Sequence, residues 1–270
     1  MALFRDGGMV LRETRATQRA GGRAWMMEQI GSMGRAWRRE AEFSRCGVGF
    51  GGPVDFPTQR VTASNVVADW QDFPLGAALC TELGVPTAID NDANAGALGE
   101  AVYGAGAGCD PLFYMTLSTG IGGGMVVNGQ IYRGADSFAG EIGHIPVRPG
   151  GPRCVCGAEG CLERLCCGMS IEADHGKPAK ELLADAAFVR SYVVDLALGL
   201  KSVILLLNPA RIVIGGGLSK AGDALFVPLN AELRRQVTGW SRARIDLRPA
   251  ALGDDSVLYG ALALAESAAC

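Results

Sequence analysis

The chain of 270 residues sets 25 Lys and Arg against 28 Asp and Glu, a net charge of −3; this excludes the basic surface that grips nucleic acid or an acidic membrane. With 49% apolar and 20% charged residues, it is not a disordered chain and is long enough for one large domain or two modest lobes. Nine cysteines, an odd number, are too sparse for a disulfide scaffold and point to a reducing, cytoplasmic setting.

Along the chain, Asp6-Gly7-Gly8 reads as a turn before a strand over residues 9–17. Residues 21–42 carry Trp25, Met26, Ile30, Met33 and Trp37 at helical spacing. A short apolar strand at 46–50 runs into Gly51-Gly52-Pro53, followed by a helix over 73–83 and an extended segment over 87–90. From Asp92 a helix runs through Ala101, and strands follow at 112–118 and 125–128, the second closing on the Asn128-Gly129 hairpin signal. Residues 154–161 are irregular, 189–207 a buried helix and 211–214 a strand; a strand over 243–247 precedes a final helix. The alternation predicts α/β layers, with a lobe boundary near Gly104-Ala105-Gly106-Ala107-Gly108 and ligands at strand ends between lobes 1–110 and 111–270. The longest apolar run, at 203–207, is bounded by Lys201 and Asn208-Pro209, short of the ~20 residues a membrane span needs. Residues 1–8 are too short and polar for a signal h-region.

Three clusters carry chemistry. Cys154, Cys156 and Cys161 put three thiols in one loop with His144 ten residues upstream, a Cys3His set suited to tetrahedral Zn2+. A closed shell of that kind holds structure and leaves no metal-bound water, which disfavours a zinc hydrolase; the alternative is three unrelated reduced cysteines. Cys166 and Cys167 read as small buried hydrophobes. The run Leu117 to Gly124 follows a strand, so its amides and the Thr119 hydroxyl can cradle phosphate, while Gly215-Gly216-Gly217 ends another strand; each can equally serve tight packing. Neither fits the G-x-G-x-x-G or G-x-x-x-x-G-K-[ST] pattern. Asp90-Asn91-Asp92 ends a strand and starts a helix, where Asp92 is either a helix cap or a base for phosphoryl transfer.

Gly140-Glu141-Ile142-Gly143-His144, followed by Cys154-x-Cys156-Gly157-x-x-Gly160-Cys161-Leu162-Glu163, resembles the sugar-and-zinc signature of the ROK family of sugar kinases and sugar-responsive repressors. Gly51-Gly52-Pro53, Asn91-Asp92, the Thr119-Gly120 loop and Gly215-Gly216-Gly217 follow in the family's order. The resemblance implies a two-lobed, actin-like, hexokinase-type (ribonuclease H-like) α/β fold and phosphorylation of a hexose or N-acetylhexosamine by ATP with Mg2+. By position, Asp92 resembles the general base, and Gly52, Asn65, Asn91, Glu141, His144 and Glu163 the sugar-binding set. Thr119 and Gly120 resemble the phosphate loop, Gly216 and Gly217 the adenosine contact, and His144, Cys154, Cys156 and Cys161 the structural zinc site. A homodimer is also implied. The family's opening strand and D-x-G-G-T-[KN] phosphate hairpin have no counterpart here, and Asp6-Gly7-Gly8 reads as the next turn along, with no apolar strand before it. Residues 169–185 look short for the family, which trims a peripheral helix. A non-catalytic sugar sensor is the competing reading; a DNA-binding helix-turn-helix has no room before Gly21.

Overall fold

A computed structural model describes residues 1–64, 67–237 and 243–268. The chain opens with β1 (Ala2–Arg5) and β2 (Gly8–Arg12), paired antiparallel. This corrects the expectation that no strand precedes Asp6-Gly7-Gly8: Asp6 and Gly7 both take positive φ, 50° and 77°. That is the geometry in which an Asp-Gly pair turns a two-residue hairpin, and Ala2-Leu3-Phe4 is the strand it returns from. The strand after the turn is also shorter than residues 9–17. Next come α1 (Gly22–Arg38), β3 (Cys46–Phe50), the small hairpin β4 (Val54–Asp55) and β5 (Arg60–Val61), and α2 (Leu75–Leu83). Then β6 (Thr87–Asn91) passes directly into α3 (Asp92–Tyr103).

The C-terminal half begins with β7 (Leu112–Leu117), β8 (Ile121–Val127) and β9 (Gln130–Ile131), followed by the zinc-signature loop. Helices α4 (Leu162–Cys166), α5 (Gly168–His175), α6 (Ala179–Leu182) and α7 (Ala186–Leu207) lead to β10 (Arg211–Gly215). The segment over residues 169–185, read as short for the family, carries the two short helices α5 and α6. The chain ends in α8 (Asp223–Gln236), β11 (Leu247–Pro249) and α9 (Ser256–Ala265). Strand β11 starts where the expected strand over 243–247 ends.

One mixed sheet runs β11-β10-β7-β8-β9, with β10 parallel to β7 and β11, and β8 antiparallel to β7. Alternation along β7 divides its side chains between two cores: Phe113, Met115 and Leu117 face the cluster under α7 and α8, whereas Leu112 and Tyr114 face the cluster beneath α3. Strands β3 and β6 form a separate parallel pair. Val48, Phe50 and Ile89 on that pair meet Leu75 and Leu79 of α2 and Met26 and Ile30 of α1, and the pair's other face lies on α3 and α9. The layers therefore run α1 and α2, the β3–β6 pair, α3 and α9, the five-stranded sheet, then α7 and α8. Helices α3 and α9 are the shared middle layer. An apolar groove of about 950 Å³ lies between β1 and β3, lined also by Trp37, Leu83 and Ala261.

The glycine run after Leu117 belongs mostly to a strand. Gly122, Gly123 and Gly124 pair with Thr116, Met115 and Tyr114 inside β8, which leaves only Ser118 to Gly120 as a turn. A Cβ at Gly124 would lie 2.5 Å from the carbonyl oxygen of Ala93, so glycine here lets the start of α3 lie flat on the sheet. The expected cradle is shortened to Ser118, Thr119 and Gly120.

Candidate functional site

Two pairs of parallel strands end at the same edge of the molecule. Strands β3 and β6 finish together at Phe50 and Asn91, and β7 and β10 at Thr116 and Gly215. Ligands in α/β proteins collect at such carboxyl ends, where loops and helix starts present side chains and free amides.

At the first pair, the sequence left Asp92 open as a cap or a base. The N-cap is Asn91: its side chain accepts from the amides of Ala93 at 2.9 Å and Asn94 at 3.4 Å, and its Nδ2 donates to the carbonyl of Gly52 at 3.0 Å. Asp92, the first helical residue, is thereby released from capping. Gly51 leaves room beside it, since a Cβ there would lie 3.7 Å from Asp92 Oδ2. Burial raises the Asp92 carboxyl above the usual carboxylate range; the Ala93 amide and the Asn91 side chain oppose the shift, and the charge of Glu141 adds to it. Asn65 lies outside the described residues.

Glu141 precedes a turn of 3-10 helix, Ile142–His144. Its carboxyl is also raised by burial, with His144 opposing and Glu163 reinforcing the shift. Glu141 thus links the expected residues, its charge bearing on Asp92 and the charges of His144 and Glu163 bearing on it. Glu163, in the first turn of α4, accepts the amide of Ile121 at 2.9 Å. Its Oε2 would lie 2.9 Å from a Cβ at Gly120, so this carboxylate sits directly against the Thr119-Gly120 turn. Thr119 is exposed, and α5 begins beneath the turn, with the amides of Gly168 and Met169 donating to the carbonyls of Ser118 and Thr119. A Cβ at Gly217 would lie 3.7 Å from Ser118 Oγ, which places the Gly216-Gly217 turn beside the Thr119-Gly120 turn.

The thiols of Cys154, Cys156 and Cys161 and a ring nitrogen of His144 lie within 4.8 Å of one another. Cys156 Sγ is 3.6 Å from Cys161 Sγ, and Cys154 Sγ is 3.9 Å from His144 Nδ1. Tetrahedral zinc with bonds of about 2.3 Å to sulfur spaces its ligands about 3.8 Å apart, so these residues fit the ion. The loop closes through Gly160 at φ +67°, where a Cβ would run into the carbonyl of Arg148. With Nδ1 turned to the thiols, the opposite nitrogen of His144 is left for another partner. Cys166 and Cys167 are fully buried under α7.

Two features escaped the sequence reading. Asp90, 1% exposed, pairs with Arg133 at 2.7 Å. Glu100, fully buried in α3, accepts from the amides of Ala105, Ala251 and Leu252 and from the hydroxyl of Ser256 at 2.7–3.1 Å. A carboxylate within the Ala, Gly and Leu run over residues 95–101 of α3 was the available signal for Glu100. Arg133 had none, because its partner is 43 residues away.

A sequence profile of the ROK family matches residues 1–268. The chain is 38% identical to a glucokinase of Halalkalibacterium halodurans over 79% of its own length and 74% of that protein's. It is 28% identical to the xylose repressor of Bacillus subtilis over 72% of its length and 54% of the repressor's. The fold superposes on a ROK hexokinase from Thermus thermophilus with a TM-score of 0.85 at 33% identity, covering 97% of this chain and 92% of that one. It also superposes on a ROK glucokinase from Streptomyces griseus in complex with glucose and AMPPNP, again at 0.85, with 26% identity and coverage of 98% and 94%. These structures have the actin-like ATPase-type fold, and this chain shares it. The chain belongs to the ROK family.

Proposed function

We propose that the chain transfers the γ-phosphate of ATP to a hydroxyl of a glucose-like hexose or an N-acetylhexosamine, with Asp92 as general base. The observation that carries this reading is the convergence of Asp92, Glu141, His144 and Glu163 beside two glycine turns at the strand ends. Asp92 takes the proton of the sugar hydroxyl as its oxygen attacks the γ-phosphorus. The bond to the β–γ bridging oxygen breaks, and ADP departs with that electron pair. A carboxyl raised by burial suits the task, because a base works best with a pKa nearer the working pH. Glu141, Glu163, the free nitrogen of His144 and the Asn91–Gly52 contact hold the sugar; buried polar groups left unpaired by a wrong sugar make the pocket selective. The Thr119 hydroxyl and the amides around Gly120 face the phosphates, and Gly216-Gly217 gives the adenosine a surface without side chains. Magnesium, entering with the ATP, would supply the charge neutralisation that phosphoryl transfer needs. His144, Cys154, Cys156 and Cys161 would hold zinc, which would fix the loop and orient the imidazole.

The test is ADP release with Mg-ATP across a panel of hexoses. Asp92→Asn is expected to lower turnover by about 10²–10⁴ while sugar still binds by calorimetry. Undiminished turnover would remove Asp92 from the mechanism. Similarity to the xylose repressor supports a second reading, a sugar sensor. It predicts sugar binding by the wild-type chain with no ADP released under any condition.

A further inference from the structure

Arg133 stands on the segment that leaves β9 and leads to Glu141. Its Nε donates to Asp90 Oδ2 at 2.7 Å, and its guanidinium lies 3.4 Å from the centroid of the Phe56 ring. The same segment accepts the Phe56 amide on Ser137 Oγ at 3.2 Å and closes on itself through the Ala139 amide and the Arg133 carbonyl at 3.0 Å. The other oxygen of Asp90 accepts from the Asn91 amide at 2.7 Å and from Asn94 Nδ2 at 2.9 Å. Among the described residues Asn94 Oδ1 has no partner, so Asp90 is what holds that side chain. Asp90 thus grips α3 on both sides of Asp92, and Arg133 grips Asp90.

We propose that Arg133 is a positioning residue: its ion pair with Asp90 fixes the strand-to-helix turn that carries Asn91 and Asp92, and ties that turn to the segment carrying Glu141. This rests on the kinase reading above. Asp90 is nearly devoid of solvent, so without Arg133 its charge must find another partner or draw water inward. Either response pulls on the Asn91 amide and on Asn94, which are the supports of Asp92. Because the reacting groups tolerate little displacement, turnover suffers more than sugar binding.

The experiment compares wild type, Arg133→Met, Asp90→Asn, the double variant and Arg133→Lys. Measurements are kcat, sugar KM, glucose affinity by calorimetry and folded fraction by circular dichroism. Arg133→Met should lower kcat about 10–100-fold and weaken glucose binding only about threefold at constant folded fraction. The double variant, which no longer buries an unpaired charge, should recover most of the kcat loss, and Arg133→Lys should fall between. Equal kcat in wild type and Arg133→Met would overturn the proposal. So would a loss that tracks folded fraction, or a double variant no better than Arg133→Met. Should the wild type bind glucose without turnover, the kinase reading fails by itself. The affinity series then decides: weakening by Arg133→Met with recovery in the double variant sustains the positioning role, and flat affinities remove it.

Discussion

The two halves of the molecule hold their shares of the site by different means. The C-terminal half has a continuous five-stranded sheet whose central strands are buried on both faces, with a large apolar cluster under α7 and α8. Glu141, His144 and Glu163 hang from that frame and from the cysteine loop. The N-terminal half is divided among three two-stranded pieces, and its core around Trp70 and Leu79 is smaller, with the apolar groove between β1 and β3. Yet it carries Asp92. Buried polar ties stand in for sheet there: Asp90 with Arg133 and Asn94, the Asn91 cap, and Glu100 at the crossing of α3, the 104–110 join and the start of α9. Apolar packing is tolerant of small shifts in its parts, whereas a buried charge is satisfied in few geometries. The contrast teaches that the turn carrying Asp92, the proposed base, is held on the thinner half by polar ties where the other half uses sheet.

The largest expected effect lies on the C-terminal side, where a zinc ion held by His144, Cys154, Cys156 and Cys161 would stand for many contacts. Purified protein should carry one zinc per chain by elemental analysis, and Cys161→Ser should lose it. Loss of an outer-shell partner alone costs a metal site about 10–100-fold in metal affinity or activity, so losing a ligand should cost more than that in zinc affinity and weaken sugar binding with it. Metal-free protein that binds sugar normally would detach the loop from the site. Next comes Glu100→Ala. It strands the amides of Ala105, Ala251 and Leu252, each worth about 1–3 kcal/mol when left unpaired, although water can reach the exposed Ala251. A total of about 2–4 kcal/mol is expected by urea unfolding. That equals what Leu196→Ala, about 2–5 kcal/mol, should cost at the centre of the large core. If Glu100→Ala costs under about 1 kcal/mol, polar ties do not substitute for sheet in this half.

What the sequence made legible follows from the range of the interactions. The Cys3His set was legible from the spacing of its ligands and the Asn91-Asp92 junction from the change of strand to helix, whereas Glu141 and Glu163 came only from the resemblance of their motifs to the ROK family. The helix over 21–42 and the buried helix over 189–207 emerged within a few residues, because an apolar face repeats every turn. The glycine run misled: the residue type that frees a phosphate loop is also the one that lets α3 lie on β8, and only the contact with Ala93 separates the two uses. The β1–β2 hairpin was missed although Asp-Gly is a strong hairpin signal, because four residues are too few to show alternation. Arg133 with Asp90, and Glu100 with residues 251–256, are meetings of distant segments that no local pattern announces.

The smallest expected effect sharpens the comparison at Asp92 itself. Burial raises its carboxyl in the native state, whereas the unfolded chain leaves it in the ordinary range near 4. Between those two values the native protein binds more protons than the unfolded one, so stability falls as pH rises through the window. The stability that Asp92 contributes is therefore fully present below the unfolded pKa and gone above the native one, where its buried charge works against the fold. Asp92→Asn removes the charge and keeps the shape. It should be more stable than wild type by the order of 1 kcal/mol at pH 8, the scale on which relieving a functional site stabilises, with the gap closing toward pH 4. Urea unfolding of both proteins at several pH values reads this. A gap independent of pH, or a less stable variant at pH 8, would mean that the supports around Asn91 and Asp90 already compensate the charge, and that the thin half holds its base without cost to the fold.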